Sequence, residues 1–356
     1  MPTALTATLL FFSTLAFGQS QDFNFEREVQ KLQEKFGQRY TPYPIVIFNQ
    51  DEISYRFAQA KAFGEEAKDK RLRIIQEYVK EKTGVELTKS EADQYEPYVT
   101  VLKNSAVAMP TLRGDWGNKE YAVCAVFHSS PNSNQYLEME RILGMTGAKR
   151  QEVYGDLTFD QYTRPMSYKK LALFSLYHEL SHCLDQKFMP KTYNGQPSSH
   201  DVHQSESFAE TMAYLLLRQE GYRDLAEKRS SIRATYSLRR GRFFPKYPSY
   251  GMGNPHYARG GAIYYLSPVI LGALEKVTFE HRDLEAKTFA DLKDISTNIV
   301  REKSMVSRGF FAVASYLKAE DPQDAINQYQ DHAYEDPELF HESYLQLMNF
   351  VNHTDL

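Results

Sequence analysis

The chain has only two cysteines and one tryptophan among 356 residues, no excess of basic residues, and no apolar run of about 18 residues beyond its N-terminus. Each scarcity excludes something. Two cysteines, Cys124 and Cys183, allow at most one disulfide, and two buried free thiols are the alternative. A formal net charge of −4 with no basic stripe argues against nucleic acid as a partner. Without a long apolar segment, no stable membrane span is expected and the mature protein is expected to be soluble. Internal repeats and low-complexity tracts are also lacking.

The first twenty residues, MPTALTATLLFFSTLAFGQS, contain no Lys or Arg. They do carry a 14-residue run of mostly apolar character from Ala4 to Phe17, too short to span a bilayer. That run reads as the hydrophobic core of a signal peptide over 1–18, with cleavage after Gly18, and predicts an exported protein, periplasmic or secreted.

What is present is a foldable composition, 13% aromatic and 25% charged. Residues 19–97 read as a helical N-terminal region, either a permanent lobe or a removable pro-segment. "PYPIVIF" is a short strand candidate there, and helices run to Gly84. "YVTVLKN" and "EYAVCAVFHSS" read as strands, with "SAVAMPTLRGDWGNK" as a punctuated connection between them. From Ser167 the pattern is helical: Tyr168–Phe188, then a helix stopping at Gly221 that Asp201 and Gln204 open as a capping box. Beyond lie a basic helix at Arg229–Arg240, an aromatic loop from Phe243 to Tyr265, and further helices starting at Asp321-Pro322 and Asp336-Pro337. The expected division is 19–97, a core at 98–220, and a helical lobe at 221–356.

The chemistry concentrates in "LALFSLYHELSHCLDQKF", Leu171 to Phe188. On a helix, His178 and His182 stand one above the other and can direct ring nitrogens at one ion. Glu179, turned about 100° from His178, reaches a water on that ion rather than the ion itself. Zinc brings such a water's pKa to near 7, and the carboxylate accepts its proton. The apolar flanks bury the helix, and buried polar residues are costly unless something pairs them.

Zinc needs a third protein ligand. A histidine six residues after His182 would mark a metzincin, but position 188 is Phe. "ESFAETMAYLL" offers Glu206 and Glu210, one helical turn apart. One can ligate while the other orients a histidine.

Together, HELSHCLD and ESFAE resemble the HExxHxxD and ExFAE motifs of glutamate-type zincins in the anthrax-lethal-factor-like group, which includes the Pro-Pro endopeptidases. The resemblance covers about fifty residues, Leu171 to Leu217. It implies an α+β, zincin-like fold: a small mixed sheet over the active-site helix, completed by a mainly helical C-terminal lobe. It also implies Zn2+ held by His178, His182 and Glu206, with Glu179 as general base and with Glu210 and Asp185 as carboxylates behind the ligands.

Where that family places a catalytic Tyr, seven residues before the ligand Glu, position 199 here is Ser. The oxyanion donor is therefore sought elsewhere. His203 and His256 are the leading candidates, with His200 and Tyr193 behind them. The strand "EYAVCAVFHSS" is either an edge that pairs with extended substrate or an internal core strand. If it runs beside the active helix, Cys124 comes near Cys183.

The function this implies is an exported zinc metallopeptidase acting on a protein or peptide substrate. The alternatives are a non-catalytic zincin-like binding protein and a zinc amidase acting on a non-protein amide. Retention of Glu179, which would ligate nothing, favours catalysis.

Overall fold

A computed structural model describes residues 24–36, 43–101, 106–114, 120–128, 168–185, 187–188, 198–227, 262–263, 265–280 and 284–354. The signal-like segment, Ser167, Tyr193, the Arg229–Arg240 segment, the aromatic loop as far as 261 and His256 lie outside the described residues.

The architecture is α+β, mostly helical with one small mixed sheet. Helix α1 is Phe25–Phe36, strand β1 Ile45–Ile47, α2 Gln50–Gln59, α3 Lys68–Thr83 and α4 Lys89–Thr100. Strands β2, Val107–Arg113, and β3, Glu120–Phe127, follow, and then α5, Tyr168–Leu184, and α6, Ser199–Gln219. The C-terminal helices are α7, Pro268–Glu280; α8, Phe289–Lys303; α9, Ser307–Lys318; α10, Pro322–Glu335; and α11, Pro337–Thr354.

The sheet order is β1-β3-β2, with β1 parallel and β2 antiparallel to β3. Side chains alternate across a strand, so the sheet has two different faces. Ile45, Ile47, Cys124 and Val126 face one core with α1, α5 and α6. Val46, Val123, Ala125 and Phe127 face another, filled by α2, α3 and α4. The sheet therefore lies over α5 on one side and is roofed by the N-terminal helices on the other. A third cluster joins Tyr265 to α9 and α11.

Two expectations are corrected, and one left open is decided. "YVTV" is not a strand but the end of α4: Ala92, Tyr95, Glu96 and Val99 are its buried positions. That is a helical stripe, and it outweighs the β-branched residues at its end. Thr88 starts the helix with a capping box to Glu91. The missing strand is instead Val107–Arg113, in the segment read as a connection. Pro110 disguised it, but Pro is tolerated on an edge strand, and among the described residues β2 is an edge.

Of the two readings open for "EYAVCAVF", a substrate-pairing edge or an internal core strand, the second holds. It is the central strand, paired on both sides, so its backbone is not open to substrate. The second correction concerns helix ends. Ser198, not Asp201, is the N-cap of α6, with Asp201 completing the box. Helix α5 stops at Leu184, short of Phe188, because the Asp185 carboxylate accepts the N–H groups of Lys187 and Phe188 and turns the chain.

Cys124 and Cys183 form a disulfide, their Cα atoms 5.7 Å apart, which ties β3 to α5. Two more contacts hold α5 from behind. Tyr177 Oη donates to Glu28 of α1 at 2.8 Å, and Tyr43 Oη donates to the Cys183 carbonyl. Because β1 belongs to the same sheet as β2 and β3, the N-terminal region and the expected core share one layer.

Candidate metal centre

Helix α5 presents His178 and His182, and α6 lies against it presenting Glu206 and Glu210 on successive turns. Both helices are buried almost throughout, which explains their long apolar runs. His178 Nε2 and His182 Nε2 are 3.2 Å apart. His178 Nε2 lies 3.3 Å from Glu206 Oε2, and His182 Nε2 lies 3.6 Å from Glu206 Oε1. These three residues can hold a metal ion; they form a group whose ligand atoms lie within 4.8 Å of one another.

The triangle's size matters. Ligands on a tetrahedral ion at about 2.0–2.1 Å stand roughly 3.3 Å from each other, and the observed edges bracket that spacing. Three protein donors in that arrangement leave room for a fourth.

The outer nitrogens of both rings face oxygen atoms as well. His178 Nδ1 is 3.4 Å from Glu210 Oε1. His182 Nδ1 is 3.3 Å from Ser205 Oγ, which donates at 3.0 Å to Asp185 Oδ2. Carboxylates thus stand behind both histidines, directly for one and through a hydroxyl for the other.

The surroundings of His178 are anionic. Burial alone pushes the His178 ring toward its neutral form. Its bond to Glu206 and the charges of Glu210, Glu206 and Glu179 outweigh that, and hold its pKa above the ordinary value. A centre that raises a fully buried imidazole's basicity has a surplus of negative charge. Glu179 is half-buried and contributes to that field without belonging to the ligand group.

Of the residues expected at the centre, His178, His182, Glu206 and Glu210 are brought together, Asp185 joins them through Ser205, and the Glu179 charge acts on His178. His203 is placed elsewhere. Met305 N–H donates to its Nε2 at 3.3 Å, so Nδ1 carries the proton and donates to the Ile263 carbonyl at 3.1 Å. Burial pushes its pKa down to about 4. Both nitrogens are committed to backbone, which leaves neither for an oxyanion. His200, one turn earlier, is bonded through Nε2 to the Met305 carbonyl at 2.8 Å. The two rings clamp Met305 between them. Ser205 was not anticipated. Its only sequence signal is a serine within a buried helix, immediately before the candidate ligand Glu206.

Comparisons with protein families, with curated proteins and with solved structures returned no match.

Proposed function

We propose that this protein is a zincin-like zinc metallopeptidase, exported from the cell, that hydrolyses peptide bonds in a protein or peptide substrate. The observation that carries the reading is the triangle of two Nε2 atoms and the Glu206 carboxylate, with Glu179 beside it but outside the ligand set. Two imidazoles and one carboxylate on adjacent helices form a donor set suited to zinc with an open position. Bound there, zinc would make water a nucleophile at neutral pH.

The chain's own groups supply the rest. Glu179 accepts the proton of the attacking water and returns it to the leaving amine. The Glu210 carboxylate facing Nδ1 favours a proton there, so that Nε2 keeps its lone pair. The disulfide supports the export reading, since such bonds persist in oxidising compartments.

The test measures metal content together with hydrolysis of a generic unfolded protein. Wild type should carry about one zinc per chain and cleave. Glu179→Gln should abolish cleavage and keep the metal, because the amide cannot take a proton. Glu206→Gln should lose zinc affinity by more than the roughly 10–100-fold typical of a residue behind the ligands, and Glu210→Gln should fall within that range. Full activity in Glu179→Gln would overturn the mechanism. Loss of metal in Glu210→Gln with retention in Glu206→Gln would move the ligand by one turn.

A further inference from the structure

We propose that Ser205 is a positioning residue of this centre: its hydroxyl relays the Asp185 carboxylate to His182 and so fixes the tautomer that presents Nε2 to the ion. The inference rests on the metal reading above and names a residue that reading does not require.

With Asp185 ionised, as its two backbone N–H donors favour, one proton arrangement follows. Asp185 is completely buried and accepts three hydrogen bonds, from Lys187 N at 3.0 Å, Phe188 N at 2.7 Å and Ser205 Oγ at 3.0 Å. A hydroxyl has a single proton. Since Ser205 gives its proton to Asp185, its oxygen can only accept from His182 Nδ1. Nδ1 therefore carries the ring's proton, and Nε2 is left with its lone pair, 3.2 Å from the Nε2 of His178.

The serine's behaviour is itself unusual for a helix. A helical serine commonly returns its hydroxyl to the carbonyl four residues earlier. Ser181 on α5 does so, donating to Tyr177 O at 2.7 Å. Ser205, also buried, turns outward across the helix pair instead. It sits immediately before Glu206, so one hydroxyl joins the end of α5 to the turn of α6 that carries the oxygen ligand. His178 Nδ1 faces the Glu210 carboxylate directly, at 3.4 Å.

The relay has a direction, and that makes it testable. In Asp185→Asn the amide oxygen can still accept from Lys187 and Phe188. Its NH2 would donate to Ser205, whose proton would then turn to His182 Nδ1. The imidazole proton would move to Nε2 and block the ligand atom. Zinc affinity is to be measured by chelator competition for wild type, Ser205→Ala, Ser205→Thr, Asp185→Asn and the Ser205→Ala/Asp185→Asn double variant. Thermal unfolding of each metal-free protein serves as the control for folding.

Ser205→Ala and Asp185→Asn should each bind zinc about 10–100-fold more weakly, as is typical for partners of metal-bound histidines. Ser205→Thr, which keeps the hydroxyl, should stay close to wild type. The double variant should bind no more weakly than Asp185→Asn alone, because removing the hydroxyl removes the reversed relay. Wild-type affinity in Ser205→Ala or in Asp185→Asn would overturn the proposal, and so would independent, additive losses. Should Ser205→Ala fail to fold, Asp185→Asn and Ser205→Thr decide by the same criteria. A wild-type protein that binds no zinc would instead bring down the metal reading, and the relay with it.

Discussion

A histidine pair is informative only through what stands behind it. His178 and His182 were legible because a four-residue spacing on a helix stacks two side chains whatever the fold. Glu206 and Glu210 were legible as a pair, since two carboxylates inside an apolar run need a partner. His203 shows the opposite case. It sits one turn before Glu206, and sequence proximity suggested chemistry, yet its ring is a structural clamp on Ile263 and Met305. The clamp has a pH signature. The folded pKa of His203, about 4, lies below the ordinary value of 6.5. Between those values the unfolded chain binds a proton that the folded chain refuses. Its contribution is therefore intact above about pH 6.5 and is lost as pH falls toward 4, on the order of 1.4 kcal/mol per pH unit. His203→Gln keeps an acceptor for Met305 N–H but cannot titrate. Urea unfolding between pH 7 and 4 should show a shallower pH slope in this variant than in wild type. Equal slopes would remove His203 from the acid sensitivity.

Elements were read best where one pattern governed them. Helices α5 and α6 carry apolar residues on nearly every side, and burial on nearly every side is what the structure shows. The boundary at Gly84 was legible because a left-handed helix cap needs glycine, and Gly84 has φ +77°. Helix α4 and strand β2 were misread because β-branched residues and proline were given more weight than periodicity and edge position. Ser205 was missed because its partner, Asp185, lies just past the end of α5, and only the packing of α5 on α6 brings them together. The grip of β3 on α5 makes an element-scale prediction. The cysteines are 59 residues apart, and closing a loop of that length in the unfolded chain corresponds to about 4 kcal/mol by chain entropy. Replacing Cys124 and Cys183 together by Ala should lower stability on the order of 2–4 kcal/mol, read by denaturant unfolding without reductant. Wild type treated with reductant should fall toward the variant. Because Cys183 adjoins His182, zinc affinity of the double variant tests whether the strand also holds the ligand in place.

At the scale of the whole molecule, the sequence left open whether the region before residue 98 is a removable segment or a permanent part of the fold. The sheet decides how that region must behave. Strand β1 supplies the parallel partner of β3, pairing Ile45 with Cys124 and Ile47 with Val126. Helix α1 places Phe25, Val29, Leu32 and Phe36 in the same core as Leu173, Phe174 and Tyr177 of α5. Removing residues 24–47 would expose that apolar face of α5, open one edge of β3, and leave Tyr177 and the Cys183 carbonyl without the partners they have in Glu28 and Tyr43. Each buried large side chain so exposed forfeits about 1.5–3 kcal/mol, and a domain's whole stability is only about 5–15 kcal/mol. The truncated chain should therefore fail to unfold cooperatively in a thermal scan, and it should not hold zinc at one per chain. A pro-segment would behave in the opposite way: its removal would leave a cooperative fold and raise hydrolysis. Observing that gain would show that the contacts of α1 and β1 with α5 inhibit the centre rather than build it.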